Sequence, residues 1–312
     1  MTSIQAMKIS ILYGSLRSGT TLLRLMLAGH PELWIPGESD FVFDYLHESN
    51  GEVQLDREGL STDRIQRNNL PQMPTASSAT ACVHEMTEQL AEGRPHLILS
   101  LHRNIEWAMR LFPNAQIVHL LRDPRDVARS CIGMGWSGTP RYGAKRWLET
   151  ERQWAATRPS IADEQVLEVR YEELIASPEE HLTQIARHLG AAYHADMLSY
   201  PDSSTYGPVD ASLAFQWKRK MSPHDASLVE GAVGELLTQT GYEHSDAGPI
   251  VQGPLGRASQ ATQNLLIKWR WRFQKFGIVD PLLVTLGNRL RWRGIAANAR
   301  ERIKDKVNAL RR

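Results

Sequence analysis

Cysteine is almost missing from this chain: its 312 residues hold two, Cys82 and Cys131. Two cysteines make no disulfide framework, and neither has metal-ligand spacing, so a reducing compartment is expected and Cys131 reads as a buried thiol. Long apolar runs are lacking as well. No window reaches the roughly 18 consecutive apolar residues of a spanning helix. The opening MTSIQAMKIS has no charged region followed by an apolar stretch, so no secretory signal is expected. Internal repeats and low-complexity tracts are also missing. What remains, 42% apolar and 23% charged residues, is the composition of a globular protein with a core of its own. These absences lead to the expectation of a cytoplasmic protein.

The most telling absence is a single lysine. Lys8 to Leu27, KISILYGSLRSGTTLLRLML, reads as a buried strand, a glycine-bounded loop and a helix. The loop Gly14-Ser-Leu-Arg-Ser-Gly19-Thr20-Thr21 keeps the spacing of a phosphate-binding loop, G-x-x-x-x-G-K-[ST], but Thr20 stands in the lysine position. Backbone N–H groups and a helix N-terminus can still cradle an anion there. The β,γ-phosphates and metal of an ATPase are poorly served. The positive charge has moved to Arg17, whose guanidinium can fork onto two anionic oxygens.

Strand candidates recur at His96–Leu101, Gln116–Leu121 and Val166–Val169. Between them, helices are expected over 79–92, from Asn104 as N-cap to Phe112, from Pro124 onward, over 141–156, and over 172–175 and 179–189. Residues 32–43 read as irregular, and 50–78 as loops with short helices. Strands alternating with helices predict a parallel sheet covered on both faces. Ligands of such sheets sit beyond the carboxyl ends of the strands, where the loops after Tyr13, Leu121 and Val169 should all emerge.

One of those loops opens the second strong segment, HLLRDPRDVARS (119–130). Arg122 sits at a strand end and Ser130 two helical turns later, so both could reach one anion. Asp123, Arg125 and Asp126 read as helix-start charges or ion pairs. No Ser/Thr–Asp magnesium arrangement is recognisable and the histidines form no metal set, so no metal is expected.

Charge is unevenly placed. Arg257 to Arg312 holds fourteen Lys and Arg against three Asp and Glu, while the rest of the chain holds 22 against 32. The expected division is a domain over 1–245, then a linker and a basic amphipathic helical tail over 246–312. Leu265, Leu266, Trp269, Phe273, Phe276, Leu282, Leu283, Leu286, Leu290 and Trp292 sit among the tail's arginines. Three readings stay open for 265–312: docking on the acidic body or on a second subunit as a homodimer, peripheral contact with the inner membrane surface, or binding of an acidic glycan or nucleic acid. Nucleic acid is not the expected partner.

With the two anion motifs in order, the chain resembles the sulfotransferases that use 3′-phosphoadenosine 5′-phosphosulfate (PAPS). LRSGTTLLRLML is similar to their 5′-phosphosulfate motif and RDPRDVARS to their 3′-phosphate motif. His30-Pro31, Gly37-Glu38, LFPNA (111–115), LLRD (120–123) and VRYEEL (169–174) resemble the tyrosylprotein and bacterial carbohydrate-type branch. The resemblance covers Lys8 to about Ser222. It implies an α/β, P-loop-like three-layer fold with a central parallel sheet flanked by helices. It also implies PAPS as co-substrate, 3′,5′-adenosine bisphosphate (PAP) as product, and a bacterial enzyme sulfating a hydroxyl of a glycan, lipid or other small molecule. Residue by residue, it puts Arg17, Ser18, Gly19, Thr20 and Thr21 on the 5′-phosphosulfate, and Arg122 and Ser130 on the 3′-phosphate. Tyr171 falls near the nucleotide, with Trp217, Lys218 or Arg219 closing over it. Glu38 falls where that branch carries its catalytic carboxylate. The family's Lys-x-Pro is replaced by Ser100-Leu101-His102-Arg103-Asn104, leaving His102 or Arg103 as the leaving-group donor. A P-loop kinase or NTPase is the rival enzyme reading, and a non-catalytic nucleotide-binding protein the other alternative.

Overall fold

The computed structural model describes residues 7–289, 298–300, 302 and 303. Leu290 and Trp292 of the expected tail lie outside the described residues. The chain runs β1 (Lys8–Tyr13), α1 (Thr20–Ala28), a hairpin of β2 (Leu46–Ser49) and β3 (Glu52–Leu55), α2 (Arg57–Thr62), α3 (Arg64–Asn69) and α4 (Ala79–Ala91). Next come β4 (His96–Leu101), α5 (Ile105–Leu111), β5 (Gln116–Leu121), α6 (Pro124–Gly133), α7 (Pro140–Gly143), α8 (Lys145–Thr157) and β6 (Val166–Arg170). The last helices are α9 (Tyr171–Ala176), α10 (Pro178–His188), α11 (Trp217–Lys220), α12 (Pro223–Val233), α13 (Leu236–Gln239), α14 (Pro254–Phe276) and α15 (Val279–Arg289).

Four strands form one parallel sheet in the order β4-β1-β5-β6. Successive strand residues point to opposite faces, and here both faces are covered. Ile11, Tyr13, Leu97, Leu99, Leu101 and Ile117 pack in one apolar cluster with α4 and α5. Their neighbours Leu12, Ile98, Val118 and Leu120 pack in a second with α1, α9 and α10. The register pairs Tyr13 with Leu101 and with His119, so the strands finish nearly level. The segments that begin at Gly14, His102, Arg122 and Tyr171 therefore leave the same end of the sheet, as the alternation of strands and helices predicts.

Two local readings change. Residues 34–39, expected to be irregular, bridge β4 in parallel at Trp34↔Leu97 and Glu38↔Ser100, which carries Glu38 to the carboxyl end of the sheet. The helix expected over 141–156 is broken between α7 and α8. Asn104 stands at the start of α5 in a left-handed conformation (φ 60°) but makes no cap with its side chain, which donates to Asp44 instead.

The chain divides into two compact units. The first holds Met1–Val127, Arg146–Met221 and Glu235–Glu243, and so contains the sheet. The second holds Ala128–Lys145, Ser222–Gly234 and His244–Arg312. Within the second unit α7 packs on α12. The Gly- and Pro-containing stretch after His244 is tied to α12, since the Ile250 N–H donates to the Ser227 carbonyl at 2.9 Å.

Candidate active site

The site is built on the turn between β1 and α1. Gly14 passes so close to β5 that a Cβ there would lie 2.6 Å from the Leu120 carbonyl oxygen. Gly19 adopts φ 97°, and a Cβ would fall 2.3 Å from the Tyr171 ring. Only glycine fits both demands at Gly19, a left-handed backbone and a ring pressed against it. Arg17 is also left-handed, at φ 74°, without that freedom, a strain that clusters at ligand-holding loops. α1 follows with no side-chain cap, so its first N–H groups point into the loop. The Ser18 hydroxyl is fully buried and has no hydrogen-bond partner among the described residues. A buried hydroxyl without a described partner, beside uncapped N–H groups, is a donor set suited to an anion. The residues present thus fit a phosphosulfate.

Arg122 does not stand in a separate pocket. Its Nη1 donates to the Arg17 carbonyl at 3.0 Å, and its guanidinium lies 4.1 Å above the Tyr171 ring. Its Nε is buried without a partner among the described residues. Arg17, Gly19, Arg122 and Tyr171 are therefore one cluster, closer than two anchors at opposite ends of a nucleotide would suggest. Ser130 lies farther along α6, in the part that belongs to the second unit.

Behind this cluster the RDPRD run is spent on the protein. Asp123 is fully buried and accepts from Arg125 Nε at 2.9 Å, Arg125 Nη2 at 2.7 Å and Trp217 Nε1 at 2.9 Å. Asp126 accepts from the backbone N–H groups of Gln216 and Trp217 at 3.0 and 2.8 Å. The Asp123–Arg125 ion pair matches the sequence reading, whereas the grip of Asp126 on residues 216–217 was not visible in it. Trp217 is buried, with the Arg125 guanidinium 3.6 Å from its ring, which makes it a packing residue of this network. Lys218 is exposed, its ammonium 5.1 Å from the Phe215 ring. Arg219 donates to the Ser212 carbonyl.

On the other side of the loop, Thr20, Thr21, Arg24, Glu38, Arg64, Ile65, Ser100 and His102 line a cavity of about 270 Å³. The carboxylate of Glu38 stands 4.0 Å from His102 Nε2 and is half exposed, while the imidazole is buried. His102 Nδ1 lies 2.7 Å from the Gly14 carbonyl oxygen, which can only accept, so Nδ1 carries the proton and Nε2 faces Glu38. Asp40 fixes the turn that presents His102, accepting the N–H groups of His102 and Arg103 at 2.8 and 3.2 Å. Burial pushes the Asp40 carboxyl above its ordinary range, against the lowering pull of His102 and Arg103. Arg103 is occupied elsewhere, with Nε on Asp44 at 2.6 Å and Nη1 3.6 Å from Asp40. Of the two donors left open by sequence, His102 faces the cavity and Arg103 holds the wall.

Arg24 and Arg64 were not singled out from sequence. Neither forms an ion pair or hydrogen bond with a described residue, yet both border the cavity. Arg24 could have been found: it sits four residues after Thr20 in α1, on the same helical face. Arg64 follows an Asp63 cap in a region without periodicity. A larger groove of about 1000 Å³ opens at the opposite, amino end of the sheet, around Lys8, Arg94 and Pro113–Ala115, away from every loop described above. Among the described residues no group of three or more His, Cys, Asp or Glu could hold a metal ion.

Residues 11–195 match the model of the sulfotransferase family. The chain belongs to that family. It is 27% identical over 194 residues to a putative protein-tyrosine sulfotransferase of Caenorhabditis briggsae, covering 59% of this chain and 66% of that protein. It is 24% identical over 261 residues to the protein-tyrosine sulfotransferase of Drosophila melanogaster, covering 78% and 51%. This sulfotransferase-family chain thus spans between half and two thirds of those relatives. They are animal proteins and lend no support to a bacterial origin. Among solved structures, the sulfotransferase domain from the curacin biosynthetic pathway superposes with a TM-score of 0.56 at 19% identity, over 77% of this chain and 99% of that one. That likeness establishes the shared α/β fold.

Proposed function

We propose that this protein moves a sulfo group from PAPS to an acceptor hydroxyl, with Glu38 as general base. The observation that carries the reading is the single small cavity in which Glu38 and His102 meet Thr20 and Thr21, the last residues of the anion loop. The loop N–H groups, Ser18, Thr20, Thr21 and Arg17 hold the phosphosulfate. Arg122 and Tyr171 line its nucleotide side. A hydroxyl entering the cavity gives its proton to Glu38 as its oxygen bonds to sulfur, and the S–O bond to the phosphate breaks. Charge then grows on the departing phosphate oxygen, where Arg17 and the loop N–H groups stabilise it. With a second proton, on Nε2, the His102 ring becomes a further donor on this side. Base assistance of this kind is worth about 10²- to 10⁴-fold.

The unpaired guanidiniums of Arg24 and Arg64 give the acceptor a chemical signature. Two cations bordering a cavity of about 270 Å³ favour an acceptor with a carboxylate, phosphate or sulfate near its hydroxyl. Thr20 in the lysine position counts against the kinase or NTPase alternative.

Thermal-shift titration tests the donor: PAP should stabilise the protein, and ATP with magnesium should not. The Glu38→Gln variant should keep the PAP shift while turnover falls about 10²-fold or more. Equal turnover would remove Glu38 from the mechanism. A PAP shift without sulfate transfer to any acceptor, read by mass spectrometry, would favour the non-catalytic alternative.

A further inference from the structure

Helix α14 turns one face to its own unit. Gln260 is buried, and the Asn264 side-chain oxygen accepts the Gly138 N–H at 2.7 Å. A Cβ at Gly138 would lie 2.8 Å from Ile267, and one at Gly135 would lie 2.3 Å from the Trp271 ring. Positions 260, 264, 267 and 271 recur at helical spacing and define the inner side. At 100° per residue, Leu265, Leu266, Trp269 and Phe273 fall on the opposite side. Leu265 and Leu266 are 56% and 63% exposed. α15 repeats the pattern: Val279, Leu282 and Leu286, at i, i+3 and i+7, are 65%, 37% and 47% exposed.

The charge on α14 has one sign. α14 carries Arg257, Lys268, Arg270, Arg272 and Lys275 and no acidic residue. The acid of α15, Asp280, is paired with Arg302 at 2.7 Å. Arg270 and Arg272 flank the apolar stripe, and the Arg272 guanidinium lies 5.7 Å from the Trp269 ring. No described helix is long and apolar enough to cross a membrane. An apolar strip edged by arginines is the pattern of a helix lying in a lipid interface, with leucines at the acyl boundary and guanidiniums on phosphates. A twofold contact between copies would instead set this basic helix against itself.

We propose that α14 and α15 dock the protein on an anionic bilayer surface. The test is co-sedimentation of the full chain with vesicles of phosphatidylcholine alone or with about one third phosphatidylglycerol. Binding is expected on the anionic vesicles, at least tenfold weaker on the neutral ones, and steeply reduced by salt. Arg270→Gln combined with Arg272→Gln should weaken it about 25-fold, at about fivefold per basic residue. Leu265→Glu combined with Leu266→Glu should weaken it at least tenfold. All four side chains lie on the outer side or flanks of α14, so the circular dichroism spectrum and the PAP-induced thermal shift should be unchanged. No binding to anionic vesicles, or equal binding to neutral ones, overturns the proposal. A wild-type dimer that the leucine substitutions split would overturn it too, and assign the face to a second copy.

Discussion

Replacing Glu151 with glutamine is expected to flatten the pH dependence of stability between about pH 6.5 and 9. His119, in the middle of the sheet, is completely buried, and its Nε2 lies 3.0 Å from a Glu151 carboxylate oxygen that is itself 1% exposed. The ring lies against Trp154, tilted by 33° with ring centroids 4.2 Å apart, and is closed off from water. Burial alone would lower the imidazole below its ordinary 6.5, but the Glu151 carboxylate, helped by Glu168, overrides burial and raises it to about 9. A base raised on folding holds its proton more tightly in the native state. The resulting stabilisation is complete below pH 6.5 and is lost as the pH climbs through about 9. Across that gap, at about 1.4 kcal/mol per pH unit, the pair is worth roughly 3 kcal/mol. The amide of the variant cannot hold the imidazolium, and the half-exposed Glu168, 3.5 Å from Nδ1, is left alone to oppose burial, so most of the upward shift should be lost. Urea unfolding followed by tryptophan fluorescence, at about pH 6 and 9.5, measures both proteins. Subtracting the variant removes cysteine and amino-terminal titrations common to the two. Wild type should lose roughly 3 kcal/mol more than the variant across the window. Parallel pH profiles would refute a charged pair at this position.

Gly19→Ala should abolish the PAP-induced thermal shift, because the new methyl must displace the Tyr171 ring or the loop. The protein itself should lose about 1–3 kcal/mol, read by urea unfolding. Arg64→Ala is expected to raise KM for anionic acceptors about tenfold while kcat holds within a few-fold, since Arg64 borders the cavity and forms no ion pair or hydrogen bond with a described residue; a kcat effect with unchanged KM would count against acceptor recognition. Asp126→Ala removes the acceptor of two backbone N–H groups and should speed proteolysis around residues 214–221.

The sheet was legible because its strands are buried on both faces: KISILY, HLILSL and QIVHLL are near-continuous apolar runs, and each became a strand at the expected place. The loop was legible because its glycines answer to backbone geometry. What sequence concealed were contacts between distant segments. The pairing of 34–39 with β4 is two isolated bridges, too few to impose a period-2 pattern on ELWIPGES. The hairpin β2–β3 falls at residues read as loop: its turn signal, Asn50-Gly51 with φ of 54° and 79°, was passed over because each strand is only four residues long and EVQL alone alternates. Arg103 and His102 were indistinguishable as neighbours. Asp44, reached across 59 residues, separates them by occupying one guanidinium.

Asp123 and Asp126 share one short run with Arg122, which faces the loop, yet their oxygens serve Arg125, Trp217 and the 216–217 backbone. An alanine scan through the RDPRD run would therefore record two kinds of defect under one phenotype. Loss at Arg122 would report a missing grip on a guest, whereas equal loss at Asp126 would report a wall that has come away from its post.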